Sequence, residues 1–137
     1  MNEITIRVPY ADTDQMGMVY YANYLVYFER GRTEWLREKG LNYRDLERNE
    51  VYLPVIEASC RYIAPARYDD LITVRTKLGG NGFASIKFEY EIMLDGKILV
   101  KGTTKHPFVN KYMKPVKIPQ EIKAVLEKSN VKKNPDC

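Results

Sequence analysis

The sequence predicts an α+β domain in which one long helix packs against a five-stranded antiparallel sheet. Three observations carry this. A single long run of helical periodicity falls near the N-terminus, four runs with the two-residue period of strands follow it, and Asp95-Gly96 between two of those runs is a strong hairpin signal. One helix followed by consecutive strands bury their apolar faces best as two layers, sheet on helix.

The first element is a strand, because Ile4, Ile6 and Val8 alternate with Thr5 and Arg7 until Pro9 ends the run. An acidic turn follows, Asp12-Thr13-Asp14-Gln15-Met16-Gly17. The helix starts near Ala22-Asn23, where Asn can cap, and ends at Lys39-Gly40, where Gly suits the left-handed position after the last turn. Its apolar stripe is Tyr24, Phe28, Gly31 and Trp35, flanked by Leu25 and Leu36, with Arg30, Glu34 and Arg37 on another face. Gly31 lowers helix stability, so its place in the stripe predicts a close approach of other backbone or side chains there. Asn42 to Asn49 reads as a short helix capped by Asn42, with Asp45 in its first turn.

The period then changes to two. Ile56, Ala58, Cys60 and Tyr62 form one strand run, closed by Ala64-Pro65. Ile72, Val74, Thr76 and Leu78 form a second, and Gly79-Gly80-Asn81-Gly82 reads as a turn. Ile86, Phe88, Tyr90, Ile92 and Leu94 form a third, and Ile98, Val100 and Thr104 lie in the last. These four strands are expected to make an antiparallel meander. Pro119, Ile122, Val125 and Leu126 suggest a short C-terminal helix. No linker divides the chain, so residues 1–129 are expected to form one domain and 130–137 a polar tail.

At 137 residues, with 45% hydrophobic and 29% charged, the chain is long enough for a substantial core. Its net charge of +4 resides between Lys111 and Cys137, where seven lysines face three acids. A solvated C-terminal region explains that better than a nucleic-acid face, which needs a folded basic surface with stacking aromatics. Cys60 and Cys137 are not spaced as a Cys-x-x-Cys pair and make no disulfide framework. With neither a leader-like N-terminus nor a long apolar run, the protein is expected to be cytoplasmic, without an integral membrane segment.

The chemistry is sought at the acidic turn, because a helix N-terminus presents unpaired N–H groups and the positive end of the helix dipole to an anion or a developing oxyanion. An Asp-x-Asp near Gly is also ordinary turn chemistry, and Asp12 is read in that way, bonding the turn amides. The turn lacks the further acids of a calcium loop and has no His nearby, so neither a metal nor a cofactor is expected. His106 is read as structural, since no second His or suitably placed Cys or Ser accompanies it.

With Asp12-Thr13-Asp14, Gly17-Met18-Val19-Tyr20, Asn23-Tyr24, the run Phe28-Glu29-Arg30-Gly31-Arg32-Thr33-Glu34-Trp35-Leu36 and Pro65-Ala66-Arg67-Tyr68-Asp69-Asp70 in this order, the chain resembles the hotdog-fold acyl-CoA thioesterases of the 4-hydroxybenzoyl-CoA thioesterase type, in particular the YbgC-like branch. The resemblance covers roughly Ile4 to Pro119. It implies a hotdog fold, a sheet wrapped around one long central helix, assembled as a homodimer or homotetramer. It also implies hydrolysis of an acyl-CoA thioester, with acyl carrier protein as an alternative carrier and a non-catalytic interaction module as a third reading. By the same resemblance Asp14 is the catalytic carboxylate, as nucleophile or general base, and the backbone N–H at Tyr21 polarises the thioester carbonyl. Many members of the YbgC-like branch carry His where this chain has Tyr21, so only the backbone role transfers. Basic residues that hold nucleotide phosphates in the hydroxybenzoyl-CoA enzymes are replaced here by Gly82-Phe83-Ala84. Tyr20, Asn23, Arg61 and Ser85 complete the candidate substrate-binding set.

Overall fold

The computed structural model describes residues 1–81 and 84–128. The expected polar tail, 130–137, lies outside the described residues, as do Gly82 and Phe83. Strand β1 is Asn2–Arg7, and a single 3-10 turn covers Tyr10–Asp12. Helix α1 is Asn23–Glu38 and α2 is Tyr43–Arg48. Strands β2 (Glu57–Tyr62), β3 (Leu71–Asn81), β4 (Ser85–Leu94) and β5 (Lys97–Pro107) follow, and α3 is Gln120–Lys128.

All strand pairs are antiparallel and the order across the sheet is β1-β3-β4-β5-β2. The expected four-strand meander is therefore corrected. Only β3-β4-β5 run as a meander, while β2 crosses to the far edge and pairs with β5. Alternation within a strand fixes which face is buried but not which neighbour it pairs with, and the chain between β2 and β3 is long enough to cross over. As an edge strand β2 buries little: Cys60 is half-buried and the other five residues are exposed.

Helix α1 lies across β3, with β1 and β4 to either side. Its buried residues, Tyr24, Tyr27, Phe28, Gly31, Arg32, Trp35 and Leu36, follow the predicted stripe, whereas Leu25 is exposed. Each large apolar side chain among them contributes about 2 kcal/mol by leaving water. The close approach expected at Gly31 is present, since a Cβ there would stand 2.4 Å from Thr76 Oγ1 and 3.0 Å from Val74 Cγ1 of β3. Ala22, not Asn23, takes the N-cap position of α1. Asn42 caps α2 as expected, its side chain accepting the Asp45 N–H at 2.9 Å. Asp95 and Gly96 both have positive φ, +50° and +79°, as the hairpin between β4 and β5 requires. The expected turn over Gly79–Gly82 is corrected at Gly79 to Asn81, which belong to β3. Strand β3 runs on through a bulge between Leu78 and Gly80, and Glu89 of β4 occupies the space that a side chain at Gly79 would fill.

Under the sheet a polar chain is fully satisfied. The His106 Nδ1–H donates to the Leu53 carbonyl at 3.1 Å, so Nε2 accepts from the Thr104 hydroxyl at 2.8 Å, and Thr104 in turn accepts from the Tyr90 hydroxyl at 2.6 Å. Burial lowers the His106 pKa from its ordinary 6.5 to about 4, and the bond to Leu53 offsets only part of that fall. Between those values the unfolded chain binds a proton that the native chain refuses. Stability is thus intact above pH 6.5 and falls as the pH drops toward 4, by on the order of 3 kcal/mol. Melting temperature measured across this window should fall with acidification, and a His106→Gln variant should show a flatter profile.

Candidate active site

The acidic turn is held from two directions. Thr13 and Val19 bridge as a small antiparallel pair, and Met18 bridges to Arg67. The Val19 N–H donates to the Ala66 carbonyl at 2.9 Å and the Tyr68 N–H to the Gly17 carbonyl at 3.1 Å. The segment from Pro65 to Asp70 is thus a clamp on the turn.

Within the turn Asp14 is the first residue of a tight reversal, its carbonyl accepting the Gly17 N–H at 3.0 Å, and Gly17 takes φ +74°. The Asp14 Oδ1 accepts the Met16 N–H at 2.9 Å and the Met18 N–H at 3.3 Å. Its second oxygen has no hydrogen bond among the described residues. Asp12 differs from expectation. Asp14 takes the turn amides, and the Asp12 carboxylate instead accepts the Tyr27 hydroxyl at 2.8 Å. The Asp12 carbonyl accepts both the Tyr20 N–H and the Asn23 side-chain amide, each at 2.9 Å, tying the turn to the start of α1. Tyr27 sits one turn into the helix, so it can reach back to Asp12, a reach invisible in strand and turn patterns.

Between Asp14 and the helix start lies a cavity of about 370 Å³. Asp14, Tyr21, Tyr24 and Tyr62 line it, with an apolar wall from Val19 and Ile63. Among the described residues the Tyr21 N–H has no acceptor, while the Tyr21 carbonyl accepts the Tyr62 hydroxyl at 3.2 Å. The Tyr24 hydroxyl accepts the Ala66 N–H at 3.1 Å and keeps its own proton to donate. Burial raises the pKa of Tyr24, and the charge of Asp14 pushes the same way. Burial, then the bond to the Cys60 thiol, pushes Tyr62 up to about 12. Both phenols are therefore proton donors at neutral pH.

Of the predicted site residues the fold brings Asp14 and Tyr21 together. Tyr20 adjoins them, its ring 4.7 Å from that of Tyr21, and Asn23 holds the turn. Arg61 does not join them, because alternation along β2 sends it opposite to Tyr62, onto the outer sheet face with Lys77 and Lys101. Ser85 is buried at the start of β4 across from Pro107, outside the cavity lining, and its hydroxyl has no partner among the described residues. Sequence reasoning missed Tyr24 and Tyr62. Tyr24 was absorbed into the helix stripe, and Tyr62 gave no signal beyond its side of β2. Among the described residues no cluster of three or more His, Cys, Asp or Glu could hold a metal ion, and no helix is long and apolar enough to cross a membrane.

The sequence pattern of the thioesterase-like superfamily matches residues 8–126, a span containing the acidic turn, the helix start and Tyr62. The chain belongs to that superfamily. It is 40% identical over 121 residues to the acyl-CoA thioesterase YbgC of Haemophilus influenzae, covering 87% of this chain and 89% of the relative. Among solved structures, a hypothetical protein of Thermus thermophilus superposes with a TM-score of 0.90 at 33% identity, covering 95% of this chain and 100% of that one. A gentisyl-coenzyme A thioesterase superposes with a TM-score of 0.84 at 25% identity, covering 89% of this chain and 99% of that one. The architecture is the hotdog fold that the resemblance implied.

Proposed function

We propose that the chain hydrolyses an acyl-CoA thioester to the free acid and CoA, with Asp14 as the reactive carboxylate and the Tyr21 N–H as the oxyanion donor. The observation that carries this is one carboxylate with an oxygen anchored and an oxygen open, sharing a cavity with an unpaired N–H at the start of a helix. Anchoring Oδ1 fixes the carboxylate without consuming its second oxygen. That oxygen removes a proton from attacking water or attacks the carbonyl itself to give an anhydride that water then opens. In both courses negative charge grows on the carbonyl oxygen, where an N–H aided by the helix dipole stabilises it. The C–S bond then breaks and the CoA sulfur leaves, to be protonated as the thiol. The name of the Haemophilus influenzae relative supports CoA as the carrier.

Purified protein offered acyl-CoA esters of graded length, with free thiol as the readout, tests the proposal. Release from at least one ester is expected. Release only from acyl carrier protein thioesters would move the reading to that carrier, and release from neither would overturn it.

The donor has its own prediction. Tyr21→Phe removes only the hydroxyl and should keep most activity, whereas Tyr21→Pro removes the N–H and should lose it. The opposite ranking in folded variants would assign the chemistry to the phenol.

The unit is proposed to act as a dimer. The outer edge of β2 is open, and Tyr62 and Ile63 beside the cavity are 49% and 55% exposed. A second copy along that edge would cover them. The outer sheet face, carrying Arg75, Lys77, Glu89 and Glu91 in ion pairs, is by contrast fit for water, which favours edge pairing over face stacking. Sedimentation should show a dimer at micromolar concentration; a stable, active monomer would contradict this.

A further inference from the structure

A larger cavity, about 660 Å³, opens toward the other end of α1, beyond the walls of the Asp14 site. Arg32 faces it from α1, roughly 14 Å along the axis from the first helical residue. Arg32 is only 9% exposed. Its Nε donates to the Tyr43 hydroxyl at 3.1 Å, and the Tyr90 hydroxyl stands close by. Both hydroxyls are neutral. No carboxylate among the described residues lies within ion-pair distance of the guanidinium.

A guanidinium does not lose its proton in a protein, so burial without an opposite charge costs several kcal/mol. A hydroxyl answers part of its donor capacity and none of its charge. The planar fork of N–H groups matches a carboxylate in a bidentate pair, which is the strongest neutralising contact open to it. The cavity also says what the rest of such a ligand is. Tyr52, Leu53 and Pro54 give it an apolar wall suited to a hydrocarbon body. Glu29, Glu47 and Lys111 line it too, so beyond Arg32 the lining carries two negative charges against one positive, which resists a dianion such as phosphate more than a monoanion.

We propose that this cavity is a binding site for a small organic monocarboxylate, its carboxylate seated on Arg32 and its apolar body on Tyr52, Leu53 and Pro54. The site is separate from Asp14 and does not depend on the thioesterase reading. If that reading also holds, a free acid is the class of product the enzyme releases, and the cavity becomes a place where product acts back on the protein.

Hexanoate is the probe and hexanamide its uncharged counterpart. In the ¹⁵N-labelled full chain, millimolar hexanoate should shift the backbone amides of Tyr43, Leu53 and Asn110, and hexanamide should not. By calorimetry Arg32→Gln should weaken hexanoate about tenfold or more, while Asp14→Asn should bind it as the wild type does. Shifts confined to the amides near Asp14 and Tyr21, equal shifts with hexanamide, or no shifts at all would overturn the proposal. If Arg32→Gln fails to fold, the wild-type shift map and the hexanamide comparison decide the matter alone. Because binding is read directly, a failed hydrolysis assay and a failed carboxylate site are distinguishable.

Discussion

Asp14→Asn is expected to lower kcat for acyl-CoA hydrolysis roughly 10²- to 10⁴-fold while leaving the melting temperature nearly unchanged. The asymmetry follows from how the two carboxylate oxygens are used. Oδ1 accepts the Met16 and Met18 amides, and the amide oxygen of Asn can take the same two bonds in the same turn. The second oxygen is the one proposed to react, and Asn puts there a group that neither accepts a proton at neutral pH nor attacks a carbonyl. Binding of the intact thioester should change little, because an exposed turn carboxylate contributes no attraction to a neutral carbonyl. Asp12→Asn should show the opposite emphasis. It weakens a charge-assisted bond from Tyr27 that braces the turn, so melting temperature falls modestly and kcat falls less than in Asp14→Asn. Kinetics and thermal melting of the two variants side by side check both statements, and an Asp14→Asn enzyme within a few-fold of wild type would refute the proposed role.

The second large effect is on folding. A Cβ at Gly102 of β5 would stand 2.3 Å and 2.4 Å from ring atoms of Phe28 and 2.6 Å from the Ser59 carbonyl oxygen of β2. Phe28 is fully buried and stacks on Tyr90 at 4.3 Å between ring centroids, so the ring has nowhere to move, and the Ser59 contact is backbone. Gly102→Ala should therefore cost about 3 kcal/mol, the upper part of the range for overpacked cores, and lower the melting temperature by about 10 °C. Gly31→Ala is the matched comparison. Its tightest contact is the Thr76 hydroxyl, a side-chain atom that can rotate, and Ala gains about 1 kcal/mol of helix propensity over Gly. It should destabilise clearly less than Gly102→Ala. Chemical denaturation of both variants would show the ranking, and equal midpoints would contradict this reading of the helix-to-sheet contact.

Much of this fold is legible because two periods, 3.6 and 2, are written plainly into the chain. Tyr24, Phe28, Gly31 and Trp35 mark the buried face of α1, and Ile72, Val74 and Thr76 mark the buried face of β3. Asp95-Gly96 fixes one hairpin outright. Periodicity does not encode strand neighbours, so the passage of β2 to the far edge beside β5 was not readable. Nor does it encode how far a strand continues past a glycine, as Gly79 shows.

The site divides along the same line. Asp14 and Tyr21 are candidates through the resemblance, and the acidic turn and helix start that hold them are legible because both lie close together in the sequence. Tyr62 reaches the Tyr21 carbonyl from forty-one residues away, and Tyr27 reaches Asp12 from fifteen, so only the folded chain reveals them. Arg61 is a substrate-binding candidate on its charge alone, but it neighbours Tyr62 on β2, and adjacent residues on a strand point to opposite faces. Arg32 stood inside a helical motif as one charge among several, and its burial without a counter-charge is a property of the packing around it.

Asp14 is proposed to drive the bond-breaking step on a thioester. Single-turnover hydrolysis isolates that step: protein in excess is mixed with an acyl-CoA that the wild type accepts, and release of free CoA thiol is followed in time. Excess protein removes product release from the observed rate, and saturation removes differences in binding. Complete thiol release by the wild type is expected, with a rate for Asp14→Asn slower by at least about 10²-fold at saturation. Thiol release by folded Asp14→Asn at a rate within a few-fold of the wild type would contradict that role.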